Sequence, residues 1–342
     1  DETSPSINIS GDTYQTRVID TSVTVKDNEE LSTVEYGFSS SSTKAPNYTK
    51  VTTNVNKYEK DIIHDTGTNN YKVSYLWVKA TDSEGNVSVE KKQFITAQYL
   101  NSIPNGTTNV SGDLIINKSG TNLNGITVNG SIYITKNVGL GDVTLTNVIV
   151  KKNIYVNGGG TNSIYLNNVK VANKIIVNNE NHVRLNFENI TTKITVDLNT
   201  DTTIQTDGTT NKNINVNVLG DITVLINGNI GKMYIKGNAN VQDISKDFTS
   251  RINRVDMDEN SAAVVMTYVD YTTYDAKTNK GHGLVYPLAE LTVNIYLDGD
   301  VTTTLQFNRD ISVSGTETVT DTLEKDKEII AAIETLKKDN VT

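Results

Sequence analysis

An internal repeat constrains this chain more than any other feature. Four nine-residue segments align without gaps, at 126–134, 148–156, 169–177 and 190–198. In the first three, apolar residues occupy offsets 0, 2, 6 and 8: Ile126, Val128, Ile132 and Ile134, then Val148, Val150, Ile154 and Val156, then Val169, Val171, Ile175 and Val177. The fourth keeps Ile190, Val196 and Leu198 and has Thr192 at offset 2. Successive copies start 22, 21 and 21 residues apart. A second apolar pair leads each later copy: Val143 and Leu145, Ile164 and Leu166, Val183 and Leu185. Asn147, Asn168 and Asn189 immediately precede three of the copies, and Asn213 stands likewise before a weaker fifth copy at Ile214 and Val216.

Residues two apart on a strand point to the same side. Each copy therefore offers short strands with paired inward residues, and no copy can bury those residues alone. Stacking copies at the interstrand spacing of about 4.8 Å buries them in continuous columns. The pattern predicts a parallel β-helix of about six coils, one repeat per coil, with Val128, Val150 and Val171 in one column and Ile132, Ile154 and Ile175 in another. The spacing varies and lacks a strict six-residue period, which points to a right-handed coil. The asparagine before each copy falls at a corner needing a left-handed backbone, which Asn tolerates better than most residues. Stacked asparagines also form side-chain ladders.

The flanks read differently. Residues 1–99 contain short alternating runs separated by turn signals, the pattern of an immunoglobulin-like sandwich. The lone tryptophan, Trp77, lies on the most apolar run and is expected to plug that core. Asp82 and Asn86 bracket a turn; shaping it through side-chain-to-backbone bonds is their expected role, with calcium binding as the alternative. Residues 261–342 read as a small α+β unit. It has a strand around 263–269 and a hairpin of 291–297 and 301–307 about Asp298, Gly299 and Asp300. A terminal helix carries Ile329, Ile330, Ile333 and Leu336 on one face. The fold expectation is thus mainly β: a sandwich over 1–99, a right-handed parallel β-helix over 101–260, and the α+β unit.

The run from Trp77 to Ser88 resembles the closing hairpin of immunoglobulin-like repeats in large bacterial surface proteins, and 23–28 and 31–36 fit the same pattern. The stretches 112–116, 141–148 and 155–166, with Gly158-Gly159-Gly160 in the last, resemble a repeat region of S-layer-type surface proteins of Gram-positive bacteria. The resemblance implies an extracellular, cell-surface location, copies of the chain itself as partners, and no activity in the repeat region. The first residues hold no apolar signal-peptide core, so an exported chain of this kind has already been trimmed.

Composition narrows the chemistry. With no cysteine, disulfides and thiol-ligated metals are excluded. The net charge of −9 comes with no basic stripe, so nucleic acid is not an expected partner. No apolar run approaches the roughly 20 residues of a membrane span. Only eight acidic residues lie between 111 and 240, namely Asp113, Asp142, Glu180, Glu188, Asp197, Asp201, Asp207 and Asp221, and none recurs beside another at the repeat spacing. A polysaccharide lyase or hydrolase on a β-helix needs clustered carboxylates, or calcium with basic residues, along one face. The three histidines, His64, His182 and His282, fall one per segment. The expectation is a non-catalytic structural subunit with no cofactor, calcium at Asp82 and Asn86 aside. The alternative is an adhesin binding glycan or cell-wall polysaccharide through outward Tyr133, Tyr155 and Tyr165.

Overall fold

A computed structural model describes residues 2–207, 212–246, 249–258, 261, 263–273, 284–286, 290–297 and 300–308. The protein is mainly β, with 58% of residues in strands and a β-solenoid of about seven turns, one more than the repeat predicts. Helix among the described residues is confined to short 3-10 turns such as Lys136–Val138. The chain divides into two compact units, Asp1–Thr200 and Asp201–Thr342.

The first unit opens with six hydrogen-bonded strands. Ser6–Ile9 pairs antiparallel with the front of the long strand Val18–Ser39, Thr49–Asp65 runs beside its whole length, and Lys72–Asp82 pairs with its rear. Val87–Ala97 follows on Lys72–Asp82, and Tyr14–Thr16 lies parallel to Val87–Ala97. Register shifts around Leu31 let the two parts of the long strand take different second neighbours. Ile19, Val23 and Val25 from the front and Val34 from the rear nevertheless share one buried cluster with Leu76, Val78, Ala80 and Phe94.

Trp77 is outside this core. On Lys72–Asp82 the residues Leu76, Val78 and Ala80 point inward, and strand alternation turns Trp77 to the opposite face. There its indole N–H donates to the Ser41 carbonyl at 3.2 Å and Lys91 Nζ sits 4.8 Å from the ring centroid. The most apolar run needed only one inward face to be core, and the tryptophan falls on the other.

The coils of the same unit have three faces. Val128 pairs with Val150 and Val150 with Val171; Ile132 pairs with Ile154 and Ile154 with Ile175; all six are buried. Both predicted columns exist in the predicted register. The face containing Val128 has four strands and ends at Lys170–Val171. At the equivalent position of the fourth copy Thr192 is exposed, so the face stops where the apolar residue is missing. The remaining column differs from expectation by two residues. Leu123, Leu145, Leu166 and Phe187 stack, which sets Leu185, not Val183, against Ile164. The strand Val183–Glu188 is longer than its counterparts, and burying the Phe187 ring fixes its register.

The corner asparagines behave as the pattern requires. Asn147, Asn168 and Asn189 have φ of 53°, 49° and 54°, and Gly125 holds the same position before the first copy with φ 68°. Asn168 Nδ2 donates to Asn147 Oδ1 at 2.8 Å and Asn147 Nδ2 to Asn124 Oδ1 at 3.2 Å, while Asn189 reaches Asn167 at 3.0 Å. Asn168→Ala removes the ladder bond and places Ala in a left-handed conformation. The backbone term costs about 1–2 kcal/mol and the bond about 0.5–1.5. Urea denaturation should show the loss for Asn168→Ala, with Asn168→Gly between it and the parent because glycine retains the backbone freedom.

On one of the three faces the strand edge where the coil begins is covered. Tyr99–Leu100 pairs with Leu114–Ile116. The Gln98 and Asn101 amides donate to the Asp113 and Ile115 carbonyls at 3.0 and 2.7 Å, and the Asp113 amide donates to the Asn69 carbonyl at 3.0 Å. An open parallel edge would be a template for another chain; this one is occupied by the chain's own preceding segment.

In the second unit Val224, Val241 and Val265 form one buried column, and Val216, Met233 and Val255 another. The expected fifth copy forms Ile214–Val218, and Ala263–Met266 is the expected strand near 263–269. Glu290–Leu297 and Asp300–Asn308 form the expected antiparallel pair. The terminal helix, with Ile329, Ile330, Ile333 and Leu336, and the turn residues Asp298 and Gly299 lie outside the described residues.

Candidate functional site: a tyrosine-walled cavity

The sequence pointed first to Asp82 and Asn86. They do meet, at the turn between Lys72–Asp82 and Val87–Ala97, and each saturates the other. The Asn86 amide donates to Asp82 Oδ1 at 2.7 Å and Asn86 Nδ2 to Asp82 Oδ2 at 2.8 Å, while the Asp82 amide donates to the Asn86 carbonyl at 3.1 Å. This is the turn-shaping role. Among the described residues no group of three or more His, Asp or Glu side chains could hold a metal ion.

Burial acts to raise the Asp82 carboxyl. The bonds from the Asn86 side chain and from the amides of Asn86, Gly85 and Glu84 outweigh it and hold the carboxyl below its ordinary value. A carboxyl depressed in the folded state contributes stability above its unfolded pKa of about 3.9, and loses it as the pH falls through the lower folded value. Asp82→Asn should therefore lower the urea midpoint at neutral pH, and the gap to the parent should close as acidification carries the pH through the unfolded and then the lower folded value.

The solenoid's carboxylates are dispersed. Asp113, expected at a turn, is buried; its Oδ1 accepts the Ser131 amide and its Oδ2 the Tyr71 amide, both at 2.6 Å. It clamps the six-stranded sheet to the first coils. Asp197 pairs with Lys174 at 2.8 Å, Asp201 accepts the Thr223 amide at 2.8 Å, and Asp221 accepts the Asn238 amide at 2.9 Å.

The three outward tyrosines do not form one stripe. Tyr133 and Tyr155 are register partners on one face, with rings stacked at a centroid distance of 4.6 Å. Tyr165 is on another face, where Arg184 covers its ring at 5.2 Å and donates to its hydroxyl at 3.0 Å. All three are half-buried. Tyr71 stacks on the other side of Tyr133 at 4.0 Å, so Tyr133 is held between two rings. Burial first, and then the nearby Asp113 charge, push the Tyr133 hydroxyl far above the ordinary phenol range, and it stays protonated at neutral pH.

Beside this stack lies a cavity of about 280 Å³. Tyr14, Tyr71 and Tyr133 wall it, Thr135 lies within it, and Lys136, Asn157, Asn178 and Glu180 complete the lining. Tyr14 arrives because Tyr14–Thr16 adds in parallel to Val87–Ala97, next to Ile95 and Ala97, which pack with Ile115 of the first coil. Lys136, Asn157 and Asn178 follow the ends of Ile132–Ile134, Ile154–Val156 and Lys174–Val177, so stacking brings them to the same rim. No local pattern marks Tyr14, Tyr71 or Thr135, since their meeting depends on pairing between segments some sixty to a hundred and twenty residues apart.

No family model matches this sequence, and no curated protein does. What defines the chain is its architecture: it is a β-solenoid protein. Among the described residues no helix is long and apolar enough to cross a membrane.

Proposed function

We propose that this chain is a non-catalytic structural subunit of an extracellular bacterial surface assembly, a layer or filament made from copies of itself. The observation that carries the reading is how the solenoid uses its acids. Asp113, Asp201 and Asp221 each accept backbone amides, and Asp197 holds a lysine. Carboxylates that tie one segment to the next reinforce a stack, whereas catalysis at a coil face needs them convergent. The repeat segments that resemble Gram-positive S-layer-type proteins add to the same reading, in which the coil is right-handed.

Residues 1–99 are read as an immunoglobulin-like sandwich. Its support is the shared buried cluster and the parallel pairing of Tyr14–Thr16 with Val87–Ala97 on an otherwise antiparallel arrangement. The chain covers the edge at Leu114–Ile116 itself, so subunits join through other surfaces, among them the edges at Thr121–Asn124 and Asn109–Val110. Negative-stain electron microscopy of concentrated protein, with and without calcium, should reveal ordered sheets or fibres. A strictly monomeric solution at high concentration under both conditions would refute the assembly.

A further inference from the structure

We infer that the cavity walled by Tyr14, Tyr71 and Tyr133 is a binding site for one neutral pyranose unit of a glycan. Four observations carry this. The first is a polar atom with nothing to bond: Thr135 is 5% exposed, and its Oγ1 is buried without a hydrogen-bond partner. Such a group costs free energy; closed to water in the ligand-free chain, it gains a partner only when a ligand hydroxyl displaces the atoms that cover it. The second is the wall. Both faces of Tyr133 are covered by Tyr71 and Tyr155; Tyr14, half-buried, packs against the cluster of Ile95, Ala97 and Ile115 and has no ring stacked on it among the described residues. A tyrosine at a cavity wall beside polar groups suits the C–H face of a sugar ring.

The third is charge. Lys136 and Glu180 line the cavity with opposite signs, and neither forms an ion pair among the described residues. Their charges offset, so the site selects neither an anion nor a cation. With the amides of Asn157 and Asn178 they offer both donors and acceptors, matching hydroxyls that do both. The fourth is size. At about 280 Å³ the cavity is at the small end of ligand pockets, enough for one monosaccharide unit and too small for an extended ligand.

The site does not depend on the assembly proposed above, because binding is read on single chains in solution. The full chain is titrated by calorimetry and by ligand-observed NMR with methyl glycosides of glucose, galactose, mannose and N-acetylglucosamine, and separately with free amino acids. At least one glycoside should bind. Tyr14→Ala should weaken it about tenfold or more, and Thr135→Val about three- to tenfold. Thr135→Val also has a readout that folding defects cannot imitate: with the unpaired hydroxyl gone, the ligand-free variant should melt no lower than the parent. Failure of every glycoside to bind at tens of millimolar would overturn the inference. So would binding unaffected by both substitutions, or binding of free amino acids in place of sugars.

Discussion

Ile154→Asp is expected to abolish the folded solenoid of the first unit. Ile154 is fully buried, with Ile132 on one side and Ile175 on the other. Truncating such a side chain costs about 2–5 kcal/mol. The carboxylate that replaces it has no partner in a column of aliphatic groups and adds several kcal/mol more. Together these rival the whole stability of an ordinary domain, about 5–15 kcal/mol. Because each coil is stabilised by its neighbours, the loss is not confined to one turn. Circular dichroism melts should show a collapsed transition for Ile154→Asp and a loss of only about 0.5–1.5 kcal/mol for Ile154→Val. An aspartate variant that melts like the parent would mean the column is wrongly assigned.

Gly158→Ala should be the other severe substitution, for a different reason. A Cβ at Gly158 would sit 2.1 Å from the Thr135 carbonyl oxygen and 3.0 Å from its carbon. These are backbone atoms of the preceding coil, so one strand must move off the other. The expected cost is about 3 kcal/mol or more, the upper end of overpacking penalties. Gly120 provides the control: its φ is 76° but a Cβ there meets nothing within 4 Å. Gly120→Ala should lose only about 1–2 kcal/mol, the cost of a left-handed alanine. Urea curves of the two variants separate crowding between coils from strain within one.

The columns were legible because their signal is local and repeated. Offsets of 0, 2, 6 and 8 leave little freedom in which side chains face inward, and a left-handed corner explains the asparagines before the copies. Legibility failed where one residue had to be judged by its partners. Trp77 read as core by composition, yet alternation between Leu76 and Val78 places it outside. Val183 and Leu185 matched the earlier pairs in type, but Phe187, the larger apolar residue two positions on, took the register. Ile164 was unreadable: it has φ 61°, a conformation that penalises a β-branched residue, and is wholly buried. The tyrosine cavity was hidden for a plainer reason. Tyr14, Tyr71 and Tyr133 come from three separate strands or strand borders, and no spacing within the sequence announces their meeting.

The corner asparagines also make the solenoid a ruler with fixed graduations. Each copy ends where the next corner begins, so excising 148–168 would set Asn147 directly before Val169, in the place Asn168 held. The shortened chain would keep an unbroken column and a left-handed asparagine at the joint. The coils of Val128 and Val171, now two steps apart, would become neighbours at about 4.8 Å. Length in such a chain is counted in whole coils, whether a coil takes 17 residues, as from Val216 to Met233, or 24, as from Val241 to Val265.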